Sequence, residues 1–211
     1  MRNVMKYRFA AVPAVLLLLA SVAAAAAPDP QQAQDMVEST TQQMLSVLRA
    51  EARDGEVDPE VVRDKINEII RPRLDFVTMT KLAVGRHWLD ATDDQKRTLV
   101  TEFRELLIRT YSRSLAEYNN QELEFLPLRT GDRADRVKVR SRVIQSNGPE
   151  IPVEYSVRYS GGAWTVYDIV IDGVSLVTTY RSSFSSQIEQ KGVAGLIDSL
   201  RAKNAANEAA S

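Results

Sequence analysis

The chain has 211 residues, of which 44% are hydrophobic and 26% charged, with a formal net charge of −1. No cysteine is present, which excludes disulfides, a CxxC redox pair, thiolate metal ligands, a catalytic thiol and lipid attachment through an N-terminal cysteine. The charge balance lacks the basic excess that nucleic acid requires, so no nucleic-acid partner is expected.

The N-terminus has the layout of a secretory signal. Arg2, Lys6 and Arg8 form a positive region, residues 14–20 (AVLLLLA) an apolar core, and Ala23 to Ala27 offer small-residue cleavage sites. Cleavage directly before Pro28 is unfavourable, so residues 1–26 are read as a cleaved signal peptide. An uncleaved anchor is disfavoured because the strongly apolar run is shorter than the ~20 residues a spanning helix needs. Loss of three basic residues leaves a mildly acidic remainder. Residues 27–203 are expected to form a single domain, and the small, polar stretch 204–211 a disordered tail.

The front half reads as helices. Residues 31–53 place Met36, Val37, Thr40, Met44, Val47 and Leu48 on one face, and Asp54-Gly55 closes the segment. Asp58-Pro59-Glu60 is a start signal, with Asp as N-cap and Pro in the first turn. The helix it opens carries Val62, Ile66, Ile69 and Ile70 and should stop near Arg71-Pro72. A shorter helix from Asp75 ends before Gly85. Thr92 and Gln95 form a capping box ahead of a long helix to about residue 119, striped with Leu99, Phe103, Leu106, Leu107, Tyr111 and Leu115.

The back half changes to period two. Segments near 122–128, 136–145, 151–159 and 163–171 are separated by Gly131-Asp132, Asn147-Gly148-Pro149 and Gly161-Gly162, the pattern of successive antiparallel strands. Two helices, 178–190 and 193–203, follow with Gly192 between them. Helices around a strand meander define an α+β domain: N-terminal helices and a C-terminal helical pair packed on an antiparallel sheet of four to five strands.

One face of the second strand carries Val137, Val139, Ser141 and Val143; the other carries Arg136, Lys138, Arg140 and Arg142. On the third, Ile151, Val153, Tyr155, Val157 and Tyr159 oppose Glu154, Ser156 and Arg158. The apolar face is either ordinary core or the wall of a cavity, and periodicity does not separate the two. The basic stripe suits docking to an acidic partner or a headgroup, but its simpler reading is a solvated face paired with Glu122, Glu124 and Glu154. The fourth strand is apolar on both faces apart from Asp168, which then needs a hydrogen-bonding partner such as a Tyr or Arg181.

No catalytic set is legible. His87, the single histidine, lacks companions for a metal site and stands in no nucleophile-base arrangement. Ser175 in Gly-Val-Ser-Leu lacks the second glycine of a nucleophile elbow. No enzymatic activity, no metal and no cofactor are expected.

The run Trp164, Val166-Tyr167-Asp168, Gly173-Val174-Ser175-Leu176, Tyr180-Arg181 and Phe184, with Gly85, Trp88, Phe103, Leu107 and Tyr111 upstream, resembles the MlaC family, also called the toluene-tolerance family. Those are soluble periplasmic carriers of phospholipid. The resemblance implies a curved sheet and helices enclosing an apolar cavity, with diacyl phospholipid as cargo. It also implies exchange with an inner-membrane ABC lipid transport complex and an outer-membrane lipoprotein complex, in a system that maintains outer-membrane lipid asymmetry. A monomer in the periplasm is expected. From strand and helix facing, the cavity lining is expected to be Trp88, Phe103, Leu107, Tyr111, Val137, Val139, Val143, Val153, Tyr155, Val157, Val166, Tyr167, Ile169 and Leu176. Arg140, Arg142 and Arg181 are the candidates for headgroup contact or docking. A periplasmic protein-binding adaptor or chaperone that uses the charged sheet face is the alternative.

Overall fold

The computed structural model describes residues 28–52, 57–116, 122–129, 131, 133–145 and 148–209. The expected signal peptide lies outside them. Helix α1 spans Pro30–Glu51, opened by Asp29, whose carboxylate accepts from the Gln31 amide at 2.9 Å. Helix α2, Pro59–Lys65, has Asp58 as its N-cap with Pro in the first turn. Where sequence reading expects this helix to run on to Arg71, the backbone changes form. Ile66–Ile70 is a π-helical turn and Arg71–Arg73 a 3-10 turn. Pro72 supplies no amide proton, so regular helical bonding is not maintained across it.

Helix α3, Phe76–Val84, starts at Asp75 and stops at Gly85, whose φ of 66° favours glycine. A Cβ at Gly85 would also come within 3.2 Å of Arg181 Nε. A 3-10 turn, Gly85–Trp88, leads to the Thr92–Gln95 box, in which the Thr92 amide donates to Gln95 Oε1 at 3.0 Å and the Gln95 amide to Thr92 Oγ1 at 3.3 Å. Helix α4 is Asp93–Ala116.

The strands are β1 Glu122–Phe125, β2 Arg136–Ile144, β3 Ile151–Ser160, β4 Ala163–Ile171 and β5 Val174–Ser175. Among the described residues they form one antiparallel meander in chain order. Asp172 and Gly173, both at positive φ, make the tight β4–β5 turn. Helix α5 covers Arg181–Ala209 with a non-helical break at Gly192, as two helices separated by that glycine require. It continues well beyond residue 203, so the expected disordered tail is helical as far as Ala209. Asn204 is buried there because its carboxamide donates to the Glu102 carbonyl at 3.0 Å and to Glu102 Oε2 at 2.9 Å.

Two apolar cores result. The larger joins α2, α3, α4 and α5 around Leu48, Leu99, Phe103, Phe184 and Leu196. The smaller lies between the start of α1 and the sheet, where Ala33 and Val37 meet Val137, Val139, Val157, Trp164 and Val166. The small Ala33 side chain lets α1 approach the strands closely at that end. Helix α1 then lies along the sheet's apolar face and carries Met44 and Leu48 into the larger core.

Candidate functional site

The two cores do not meet along the whole of α1. Between them lies a cavity of about 350 Å³ whose surface is almost wholly apolar. Helix α1 supplies its roof through Met36, Val37, Thr40, Thr41, Met44, Leu45 and Leu48. The sheet supplies the opposite wall: Leu123 from β1, Val143 from β2, Val153 and Tyr155 from β3, and Val166, Ile169 and Ile171 from β4. Ile70 and Leu74 close one side, Tyr111, Ser114 and Leu115 another, and Leu176 seals the floor after β5. Arg73 and Glu122 are the ionic residues of the lining, and both are exposed.

The strand register explains which end of the sheet is open. Val137 pairs with Val157 and Val157 with Val166, at the end covered by Ala33. Tyr155 pairs with Ile169 and Val153 with Ile171, at the end that faces the cavity. A β-bulge in β4 sits between them, since Val157 lies opposite Val166 and Ser156 opposite Asp168. Tyr167 is the extra residue. The bulge reverses the alternation. Trp164 and Val166 face the helices before it, and Ile169 and Ile171 face the cavity after it, so both apolar faces of a straight strand become one wall.

Polar groups in the cavity are few and sit at identifiable places. The Tyr155 hydroxyl lies near the hydroxyls of Ser141 and Thr41; burial pushes its pKa up, and those two hydroxyls oppose the rise. Burial, reinforced by Tyr180, pushes the Tyr111 phenol up to about 12. Both rings therefore remain neutral at ordinary pH.

The expected lining divides in two. Tyr111, Val143, Val153, Tyr155, Val166, Ile169 and Leu176 line the cavity. Leu107 instead lines an adjoining chamber of about 120 Å³. Val137, Val139 and Val157 are solid core, the latter two fully buried, because α1 covers that end of the sheet. Phe103 is also fully buried, in edge contact with Tyr180 and Phe184 at centroid distances of 5.1 and 5.3 Å. Trp88 packs on the outside of the larger core with the Lys96 ammonium 5.9 Å from its ring centroid. Tyr167 is diverted by the bulge and does not line the cavity.

The expected headgroup or docking arginines also lie elsewhere. Arg142 is held between Glu124 at 2.8 Å and Glu150 at 2.9 Å on the outer sheet face, which pushes its pKa up. Lys138 pairs with Glu154 at 2.6 Å, and Arg140 donates to the Pro127 carbonyl at 3.1 Å. The basic stripe is thus largely a paired face, although Glu122 stands opposite Ile144 and forms no ion pair with the stripe among the described residues. Arg181 lies against Gly85. It is not the partner of Asp168, whose two carboxylate oxygens lie 2.9 and 2.8 Å from Ser175 Oγ.

Sequence reading missed the α1 contribution and both ionic lining residues. The apolar stripe of α1 was legible, but no local signal distinguishes a helix that roofs a cavity from one that fills a core. Among the described residues, no group of three His, Cys, Asp or Glu side chains gathers as a metal site, and no helix is long and apolar enough to cross a membrane.

An α+β domain in which one helix roofs the greasy face of an open meander is built to hold a long apolar molecule. Comparison with known proteins identifies the lineage. Residues 38–202 match the family described as MlaC protein, and the chain belongs to that family. A crystal structure of a phospholipid-binding protein from Ralstonia solanacearum, solved in complex with a phospholipid at 1.53 Å resolution, superposes with a TM-score of 0.75. It is 35% identical, and the match covers 83% of this chain and 98% of that one. The toluene tolerance protein ttg2D of Pseudomonas putida is 28% identical over 163 residues, 77% of this chain and 75% of the relative. The intermembrane phospholipid transport system binding protein MlaC of Haemophilus influenzae is 21% identical over 169 residues, 79% of each chain.

Proposed function

We propose that this protein is a phospholipid carrier that shelters acyl chains between α1 and the sheet while the headgroup stays in water at the mouth. The observation that carries this reading is the apolar cavity itself, in a chain 35% identical to a structure that holds a phospholipid. Leaving two acyl chains in water costs about 0.8 kcal/mol per methylene, or more than ~20 kcal/mol in total, which a shallow groove does not offset. Enclosure is therefore the requirement, and a cavity of this size falls in the usual range of ligand sites.

The scale of the cavity also bears on loading. A dry cavity of about 150 Å³ accommodates benzene. By that measure, 350 Å³ holds on the order of fourteen carbon atoms, about one acyl chain. Receiving a second chain requires α1 to move away from the sheet at its Met44 end, while the Ala33 end stays packed.

In this reading the carrier works in the periplasm as a monomer. It exchanges lipid with an inner-membrane ABC complex and an outer-membrane lipoprotein complex, and direction is set by relative affinities and by ATP use at the membrane. No catalytic step is assigned to it. The adaptor alternative loses its main support, because Lys138 and Arg142 on the charged face are already paired. Purification without detergent, organic extraction and mass spectrometry test the proposal. About one phospholipid per chain is expected, and repeated lipid-free preparations that fail to take up added phospholipid would refute it.

A further inference from the structure

The adjoining chamber of about 120 Å³ is lined by Ile66, Phe76, Met79, Leu107 and Ile108, together with a partition shared with the main cavity. No polar surface contributes to it. The partition consists of Ile70, Leu74, Tyr111, Leu115, Ile169 and Leu176. Ile70 ends the π-helical turn, and Leu74 follows the 3-10 turn. One flank of the partition therefore rests on irregular helical backbone, which deforms more readily than a continuous α-helix.

We propose that this inner chamber receives the methyl end of an acyl chain that enters through the main cavity, and so sets the longest chain the protein prefers. The inference rests on the carrier reading and specifies its substrate class by chain length. A chamber without polar lining has nothing to offer a headgroup, a glycerol backbone or water. On the benzene scale it accommodates about four or five carbons. That is the difference between a chain that ends in the main cavity and one a few methylenes longer. Each methylene moved from water into an apolar site favours binding by about fourfold.

The test compares dissociation constants for phosphatidylethanolamines with two 14-carbon or two 18-carbon saturated chains. The unaltered protein should favour the longer lipid. Leu107→Phe fills the chamber from α4 and should shift the ratio of dissociation constants by at least tenfold toward the shorter lipid, with the shorter lipid's own affinity nearly unchanged. Met79→Val widens the chamber from α3 and should shift the ratio the other way, which keeps the test decisive if the phenylalanine variant does not fold. A ratio unchanged within twofold in a folded variant overturns the chamber assignment and leaves the carrier reading standing. Failure of the unaltered protein to bind either lipid overturns the carrier reading and this inference with it.

Discussion

Ser175 Oγ lies 2.9 and 2.8 Å from the two carboxylate oxygens of Asp168 and accepts hydrogen bonds from the amides of Val177 at 3.3 Å and Thr178 at 2.9 Å. One side-chain pair thus turns the chain from the β4–β5 hairpin into the 3-10 turn Thr178–Tyr180, and it fixes Leu176, a floor residue of the cavity, and the fully buried Val177. Ser175 is structural in this arrangement. Ser175→Ala should cost about 1–2 kcal/mol, since a half-buried carboxylate loses its hydroxyl donor and keeps the Val177 amide at 3.4 Å. For a domain of this size that corresponds to a fall of roughly 2–8 °C in Tm, measured by thermal unfolding.

Asp75 caps α3 and joins it to the sheet at two points. Its carboxylate accepts from the Thr78 amide at 2.9 Å and pairs with Arg158 at 2.5 Å, and its own amide donates to the Val166 carbonyl at 2.8 Å. Asp75→Asn keeps a competent cap but removes the charge pair, whereas Asp75→Ala removes both. Denaturant unfolding should rank them, with the alanine variant destabilised by about 1 kcal/mol more than the asparagine variant.

Tyr111 should make the fold sensitive to alkaline pH. Its folded pKa is pushed up to about 12 by burial, against an ordinary value of 10. The folded state then holds the phenolic proton where the unfolded state has lost it, so this contribution is complete below pH 10 and is lost as pH rises toward 12. Tyr111→Phe should flatten the stability profile between pH 10 and 12 and leave the profile near neutrality unchanged in shape. Equal slopes for the two proteins in that window would count against a buried phenol at this position.

Arg73 is the cation of the cavity lining, and it makes no ion pair among the described residues. Arg73→Glu should weaken binding of anionic phosphatidylglycerol about two- to fivefold relative to zwitterionic phosphatidylethanolamine, the scale of an exposed ion pair. The shift should shrink at high salt. The measurement is a competition titration at two ionic strengths.

Much of the fold is legible in the sequence because its punctuation is local. Asp58-Pro59, the Thr92–Gln95 box, Gly85, Gly192 and the period-two runs of β2 and β3 each impose their structure within a few residues. The cavity is less legible because it depends on non-local geometry. The same valine stripe on β2 is core at Val137 and Val139 and cavity wall at Val143, and what separates them is the position of Ala33 and Met44 on a helix more than ninety residues earlier. The bulge at Tyr167 leaves no compositional mark, yet it decides which side chains of β4 reach the cavity. The extension of the last helix past residue 203 is not legible because the residue buried there, Asn204, is held by hydrogen bonds rather than by apolarity.

A carrier of this design holds its acyl carbon between α1 and the sheet. A phosphatidylcholine carrying a photoactivatable group near the middle of one acyl chain, loaded into the purified protein and irradiated, reports this directly through peptide mass spectrometry. Adducts are expected on the facing surfaces of α1 and the sheet, at residues such as Met44, Tyr155 and Ile169. Adducts confined to the outer, charged face of the sheet, at Lys138 or Glu154, would contradict it.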